Sequence, residues 1–260
     1  MEILSIEEQE LLRRIEQYKS LYLENAIDYE KFSMISIVWH STKIEGCSLT
    51  ETDTKVLLEK GLTASGKPLK DHLMVKDHYT AFQFIKEQAK LKKKILIPFI
   101  QEINSLIMKN TGGIVQTAIG SFDTSKGDIR LVQVYVDKKY FPNYQKAPQL
   151  LEELCYSVNE RIEKAHDIEI IRLSADIHYQ FVNIHPFGDG NGRTARLLMN
   201  YIQFYHDLPP IKIFSEDRSD YIDALNEIEE KKDIEIFRKF IYSQMMKFLN
   251  EEITKFQSIT

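Results

Sequence analysis

The sequence predicts a mainly α protein, a helical bundle with one short β-hairpin, and three observations carry that expectation. Apolar residues recur at helical spacing in both halves: Leu11, Ile15, Tyr18 and Tyr22 early, then Ile170, Leu173, Ile177, Phe181 and Ile184. Period-two alternation is confined to one place, IRLVQVYV, within the stretch from Ser121 to Val136. A chain of 260 residues, 43% of them hydrophobic, can bury a substantial core.

Taken in order, MEILSIEEQELLRRIEQ reads as an acidic amphipathic helix with no apolar h-region, and no apolar run reaches the roughly eighteen residues of a membrane span. TASGKPLK, from Thr63 to Lys70, is a polar Gly/Pro connector, and the run of Lys90, Lys92, Lys93 and Lys94 is a solvated turn or helix end. Pro98 marks another helix start. Gly120 and Gly127 bracket the polar tip expected of the hairpin. The helix through Ile170–Ile184 runs into HPFGDGNGRTAR, and a further helix begins at Asn191 with Ala195, Leu198, Met199 and Ile202 on one face. SEDRSDYIDAL, from Ser215, places Tyr221 and Leu225 one turn apart, and Ile234–Ile253 forms one amphipathic closing helix.

A net charge of −5 argues against a body that binds nucleic acid by general attraction. Two distant cysteines, Cys47 and Cys155, are too few for a disulfide scaffold and suit a reducing compartment, so a cytoplasmic protein that is not membrane-bound is expected.

The chemistry concentrates between His185 and Arg196. Gly188, Gly190 and Gly192 free the backbone so that successive N–H groups can converge on an anion, and the helix that follows turns its positive end toward the same place. Arg193 and Arg196 lie three apart on its first turn, two guanidinium forks suited to phosphate oxygens. Pro186 biases His185 out of the helical ladder, leaving its imidazole to point into the loop. His178, seven positions earlier, reads as an ordinary core histidine.

These twelve residues resemble the Fic family signature: His, any residue, Phe, any residue, Asp or Glu, then GNGR, two free positions and Arg. Every required type is present, a coincidence expected about once in a billion starting positions. The resemblance implies the Fic fold, with residues 1–94 as an N-terminal helical region and 95–260 as catalytic core and closing helices. It implies that the hairpin is the flap beside the active site, on which a target protein docks by strand addition near residues 121–136.

By the same resemblance His185 is the general base that takes a proton from a Ser, Thr or Tyr hydroxyl as the oxygen attacks a nucleotide α-phosphate. Asp189 would hold Mg²⁺ on the phosphates of ATP, Gly190, Asn191, Gly192 and Arg193 would cradle the anion, and Arg193 with Arg196 would hold the β- and γ-phosphates. Phe187 buries its ring beneath the loop, and Tyr221 walls a nucleobase pocket. The family branch that phosphorylates its targets carries lysine where this chain has Gly192, so the resemblance favours AMP transfer from ATP.

Upstream, STKIEG resembles the family's inhibitory helix motif, with Ser41, Glu45 and Gly46 at its fixed positions. It implies that Glu45 pairs with Arg196 and occupies the arginine meant for the γ-phosphate. The function expected is therefore that of a Mg²⁺-dependent protein adenylyltransferase held off by its own N-terminal helix. Transfer of UMP or phosphocholine, removal of AMP from a target, and a nucleotide-sensing interaction module stay open at this level, as do self-modification and homo-oligomerisation.

Overall fold

The computed structural model describes residues 4–21, 29–136 and 139–257, so Tyr22 of the early apolar face lies outside the described residues. Helix α1, Ile6–Lys19, starts at a capping box in which Ser5 Oγ accepts from Glu8 N–H while Glu8 accepts from Ser5 N–H. Then come α2, Tyr29–Ile44, and α3, Glu51–Lys60, the latter framed by a Thr50/Asp53 capping box and Gly61 in the left-handed region. Helix α4, Leu69–Lys90, starts where the TASGKPLK connector ends, and α5, Ile97–Met108, carries Pro98 in its first turn. Helices α6, Ala147–Ile162, α7, Ile168–Ile184, α8, Asn191–Tyr205, α9, Arg218–Lys231, and α10, Glu235–Gln257, complete the α structure.

Helices α7 and α8 form the central pair, and the loop between them is the glycine-rich stretch. The predicted face of α7 points into one apolar cluster built with α2, α4, α5, α6 and α8, while Ile168, Ile171 and Ala175 on its other side enter a second cluster with α1, α9 and α10. Burial on both sides makes α7 and α8 a rigid frame for the loop they carry. The division at residues 94/95 falls between α4 and α5, and the first cluster crosses it, joining Val38, Leu57 and Phe82 to Ile100, Leu173 and Leu198. The four lysines from Lys90 to Lys94 are exposed at the end of α4, as expected, although Lys92 also meets the Tyr205 carbonyl and Lys93 lies 5.2 Å from the Phe99 ring centre.

The β structure differs from the sequence reading. The first hairpin pairs β1, Ile114–Thr117, with β2, Gly120–Asp123, so Gly120 opens a strand rather than bracketing a tip. Asp123 then caps a single 3₁₀ turn ending at Gly127, φ 70°. Ile129 and Arg130 lie along the glycine-rich loop, Ile129 bridging Phe187 and Arg130 N–H donating to Pro186 O at 3.0 Å. A second, smaller hairpin pairs β3, Tyr135–Val136, with β4, Lys139–Tyr140; its tip lies outside the described residues. Period-two alternation identifies an extended chain but does not choose its partner, and here the partner of residues 129–130 is the loop after α7.

Candidate active site

His185 ends α7 in the left-handed region, φ 50° and ψ 57°, with its N–H still bonded to Phe181 O at 3.0 Å. Pro186 offers no N–H and disfavours αR before it, so the helix stops there. The imidazole stacks on Phe141 with ring centres 3.9 Å apart, and Nδ1 lies 3.3 Å from Val182 O. A proton on Nδ1 satisfies that carbonyl and leaves the Nε2 lone pair to act as a base. Burial pushes the imidazole pKa down to about 4, with Arg130 and Lys139 adding to the shift and the Val182 carbonyl and Asp189 opposing it. His185 is therefore neutral near pH 7.

The loop is stapled from inside. Asn191 Nδ2 donates to Phe187 O at 2.9 Å and its Oδ1 accepts from Phe187 N–H at 3.0 Å, while the Phe187 ring is 1% exposed against Phe181. The Asn191 carboxamide thus shapes the cradle and is not itself turned toward an anion. Gly190 sits at φ 78°, and a Cβ there would lie 2.8 Å from Asn104 Nδ2, which bonds Asp189 O at 3.1 Å and Thr194 Oγ1 at 3.2 Å. Only glycine satisfies both the conformation and the space.

Asp189 projects from the loop with 60% of its side chain exposed, one oxygen accepting from Gly190 N–H at 2.5 Å and lying 3.6 Å from Arg193. A lone exposed carboxylate beside a phosphate cradle fits Mg²⁺, which takes one or two carboxylates and fills the rest of its shell from phosphate and water. Among the described residues no group of three or more His, Cys, Asp and Glu gathers into a metal cage.

Both arginines are buried on α8, Arg193 in its first turn, where backbone N–H groups lack helical acceptors, and Arg196 in its second. Arg193 is 2% exposed, its Nη2 lies 3.2 Å from Met108 Sδ, and its Nε and Nη1 have no hydrogen-bond partner. A buried guanidinium with idle donors can take up an anion. Arg196 is engaged: Nε donates to Ser41 Oγ at 2.8 Å, and Nη2 donates to Ser41 O at 3.0 Å and to Glu45 Oε1 at 2.6 Å. The predicted Glu45–Arg196 pair is thus formed, at the C-terminal end of α2 where a cation also favours the helix dipole.

Glu45 follows the last residue of α2 in a turn closed by Gly46, φ 90°. Burial would raise its carboxyl, but the guanidiniums of Arg196, Arg193 and Arg218 hold it below the usual carboxylate range. Gly192 matters for a different reason from Gly190: a Cβ there would lie 2.7 Å from Glu45 Oε1, so the missing side chain is the space the carboxylate occupies.

The expectation for Tyr221 is corrected. Its side chain is 3% exposed, with the ring beside Phe237 and Phe240 and the hydroxyl 3.0 Å from His178 Nε2, and Leu225 is 7% exposed in the same cluster. With no open face, Tyr221 does not wall a nucleobase pocket; its hydroxyl is turned to His178. A helical-spacing argument cannot separate an inward from a pocket-facing tyrosine.

Three residues escaped the sequence reading. Arg218 Nε caps α2 by donating to Ile44 O at 2.8 Å, and its place one turn before Tyr221 on α9 was the available signal. Arg130, fully buried, donates to His185 O at 2.7 Å and to Val132 O and Pro142 O at 2.6 Å each, tying the two sides of the second hairpin to the loop after α7. Phe141, the platform for His185, follows β4 with no local motif to mark it.

Comparison with known proteins points to one family. The chain is 31% identical over 249 residues to a protein adenylyltransferase Fic of Nematostella vectensis, covering 90% of this chain and 53% of that one. It therefore spans about half the length of that curated relative. A Fic-domain-containing signalling protein of Bacteroides thetaiotaomicron superposes with a TM-score of 0.79 at 26% identity, over 95% of this chain and 96% of the other. Fic-1 of Caenorhabditis elegans gives 0.78 at 25% identity, over 97% and 74%. Residues 95–203, which take in both hairpins, the loop from His185 and both arginines, match the Fic/DOC family model, and the chain belongs to the Fic/DOC family.

Proposed function

We propose that this protein transfers AMP from ATP to a Ser, Thr or Tyr hydroxyl of a target protein and is held back by its own Glu45. The observation that carries the reading is one loop: a neutral histidine at its start, and at its end two buried guanidiniums, one idle and the other held by a carboxylate from α2. The names of its relatives support the activity.

In the transfer, His185 Nε2 accepts the hydroxyl proton while the hydroxyl oxygen bonds the α-phosphorus. The bond from that phosphorus to the β-phosphate oxygen breaks, and pyrophosphate leaves. Arg193 and Arg196 stabilise the charge that gathers on the departing phosphates. Asp189 would hold Mg²⁺, which when bound neutralises phosphate charge. Phe141 and the Val182 carbonyl fix the imidazole ring, and Arg130 fixes the hairpin segments on which the target docks. While Glu45 holds Arg196, the γ-phosphate has no seat there and the productive pose is closed.

The test is incorporation of α-labelled ATP into protein with Mg²⁺, comparing wild type, Glu45→Gly and Glu45→Gly/His185→Ala. Label is expected strongly with Glu45→Gly and not with the double variant. Equal incorporation by the wild type and Glu45→Gly removes the brake, and label surviving the loss of His185 removes the base.

A further inference from the structure

We infer that His78, on the buried face of α4, is a positioning residue that fixes Arg196 from the α4 side by offering its Nδ1 lone pair to the guanidinium Nη1. This rests on reading Arg196 as the γ-phosphate ligand. The guanidinium has five N–H groups and no acceptor of its own. Ser41 and Glu45 take Nε and Nη2, and Nη1 is buried without a partner. His78 is 1% exposed, and its Nδ1 is also buried without a partner. Both residues line one cavity of about 10 Å³ with Ser41 and Asn200, closed by the apolar side chains of Ile37, Phe82 and Ile213. A space of that size is at most one water across, which brings the two idle groups within reach of each other directly or through that water.

Burial, with the charges of Arg193 and Arg196 adding to it, holds the imidazole well below its ordinary pKa, so His78 is neutral and able to accept. His72, one and a half turns earlier on α4, has both ring nitrogens engaged locally, at Ala64 N–H and Pro68 O, and faces no such cavity. The chemistry explains why a histidine stands here. A carboxylate behind Arg196 would neutralise it permanently and weaken its hold on phosphate, whereas a neutral acceptor orients the fork and leaves its charge for the incoming anion. Arg196 is thereby kept in place when Glu45 departs.

The test is made in the Glu45→Gly protein, so that the brake does not contribute. His78→Phe and Arg196→Met are introduced singly and together, and equilibrium unfolding of the four proteins closes a double-mutant cycle. The unfolding constant of the double variant should differ about tenfold from the product of the single effects. ATP binding by calorimetry should weaken about tenfold in His78→Phe and return to within threefold in His78→Asn, whose Oδ1 supplies the acceptor. Should the Phe variant not fold, His78→Leu takes its place. Single effects that simply multiply, or an Asn variant as weak as Phe, overturn the role of His78. A coupled cycle with no ATP binding to any of the proteins sustains the anchor and overturns the nucleotide reading of Arg196 instead.

Discussion

Replacing Glu45 with Gln removes the charge of the brake and keeps its shape, so both costs of the contact can be measured. The pair is 2.6 Å long, with the arginine side chain 5% exposed and the carboxylate side chain 34% exposed. A fully buried pair that loses one partner costs about 3–5 kcal/mol, and a surface pair costs about 0–1. With one partner buried, the other a third open to water, and Ser41 still bonded to Arg196, about 1–2 kcal/mol is appropriate. Tm should therefore fall by about 2–8 °C in a chain of this size. If the terminal phosphate of ATP competes for the same guanidinium, as proposed, the same energy opposes it and ATP affinity should rise about 5–30-fold. The carboxyl pKa is depressed in the folded state, so the pair's stabilisation is complete above the ordinary value of 4.5 and is lost as pH falls through the folded value. The Tm gap between wild type and Glu45→Gln should accordingly be full at pH 7 and close in acid. Scanning calorimetry and ATP titration test both signs; an unchanged Tm together with ATP affinity within twofold of wild type refutes the competition.

Arg218→Ala should loosen the brake without touching Glu45, giving label incorporation between that of wild type and Glu45→Gly, and incorporation at the wild-type level would show that the Ile44 cap is idle. Arg130→Met removes three charged hydrogen bonds to backbone carbonyls and should cost about 3 kcal/mol, a Tm loss of about 6–12 °C by calorimetry. With His185 lowered to about 4, its neutral-state stabilisation is complete above 6.5 and is lost between 6.5 and about 4, so transfer by the Glu45→Gly protein should stay level from pH 7 to about pH 5. Phe141→Ala opens the ring to water and should move the acid limb up toward 6.5; a limb already at 6.5 with Phe141 intact contradicts the buried base.

What the sequence makes legible here follows from the range of each interaction. The α7 face, the loop glycines and the Arg193/Arg196 fork are set within a turn or two, so spacing reveals them. The Glu45–Arg196 contact spans 151 residues and was legible only because a short motif at each end resembles a known pair. Arg130 has no such motif: it lies 55 residues before its principal acceptor, the His185 carbonyl, and a single basic residue within a strand-like run gives no hint that its acceptors are all backbone oxygens. Tyr221 fails for the opposite reason, since its local pattern suits both a pocket wall and a core, and only the packing of α10 against α9 decides for the core. The hairpin shows the same limit in β structure, where alternation is local and pairing is not.

The placement of Glu45 bounds how strong the proposed brake can be. The body of α2 is fastened into the first apolar cluster by Met34, Ile37 and Val38, but Glu45 lies beyond its last residue, in a turn ending at a left-handed glycine whose Cβ position faces open space. Releasing Arg196 therefore requires movement of one side chain or one turn, not of the helix, and Ser41 keeps its two bonds to the arginine throughout. On this geometry the closed state is favoured by a single ion pair, about 1–2 kcal/mol, which leaves about 3–15% of molecules open at equilibrium. If competition for Arg196 were the whole of the inhibition, Glu45→Gly would raise transfer by no more than about thirtyfold, by the same arithmetic. A larger ratio would mean that the carboxylate also acts on the bound nucleotide, from the space left open by Gly192, by turning the α-phosphate away from His185 as well as denying the γ-phosphate its arginine.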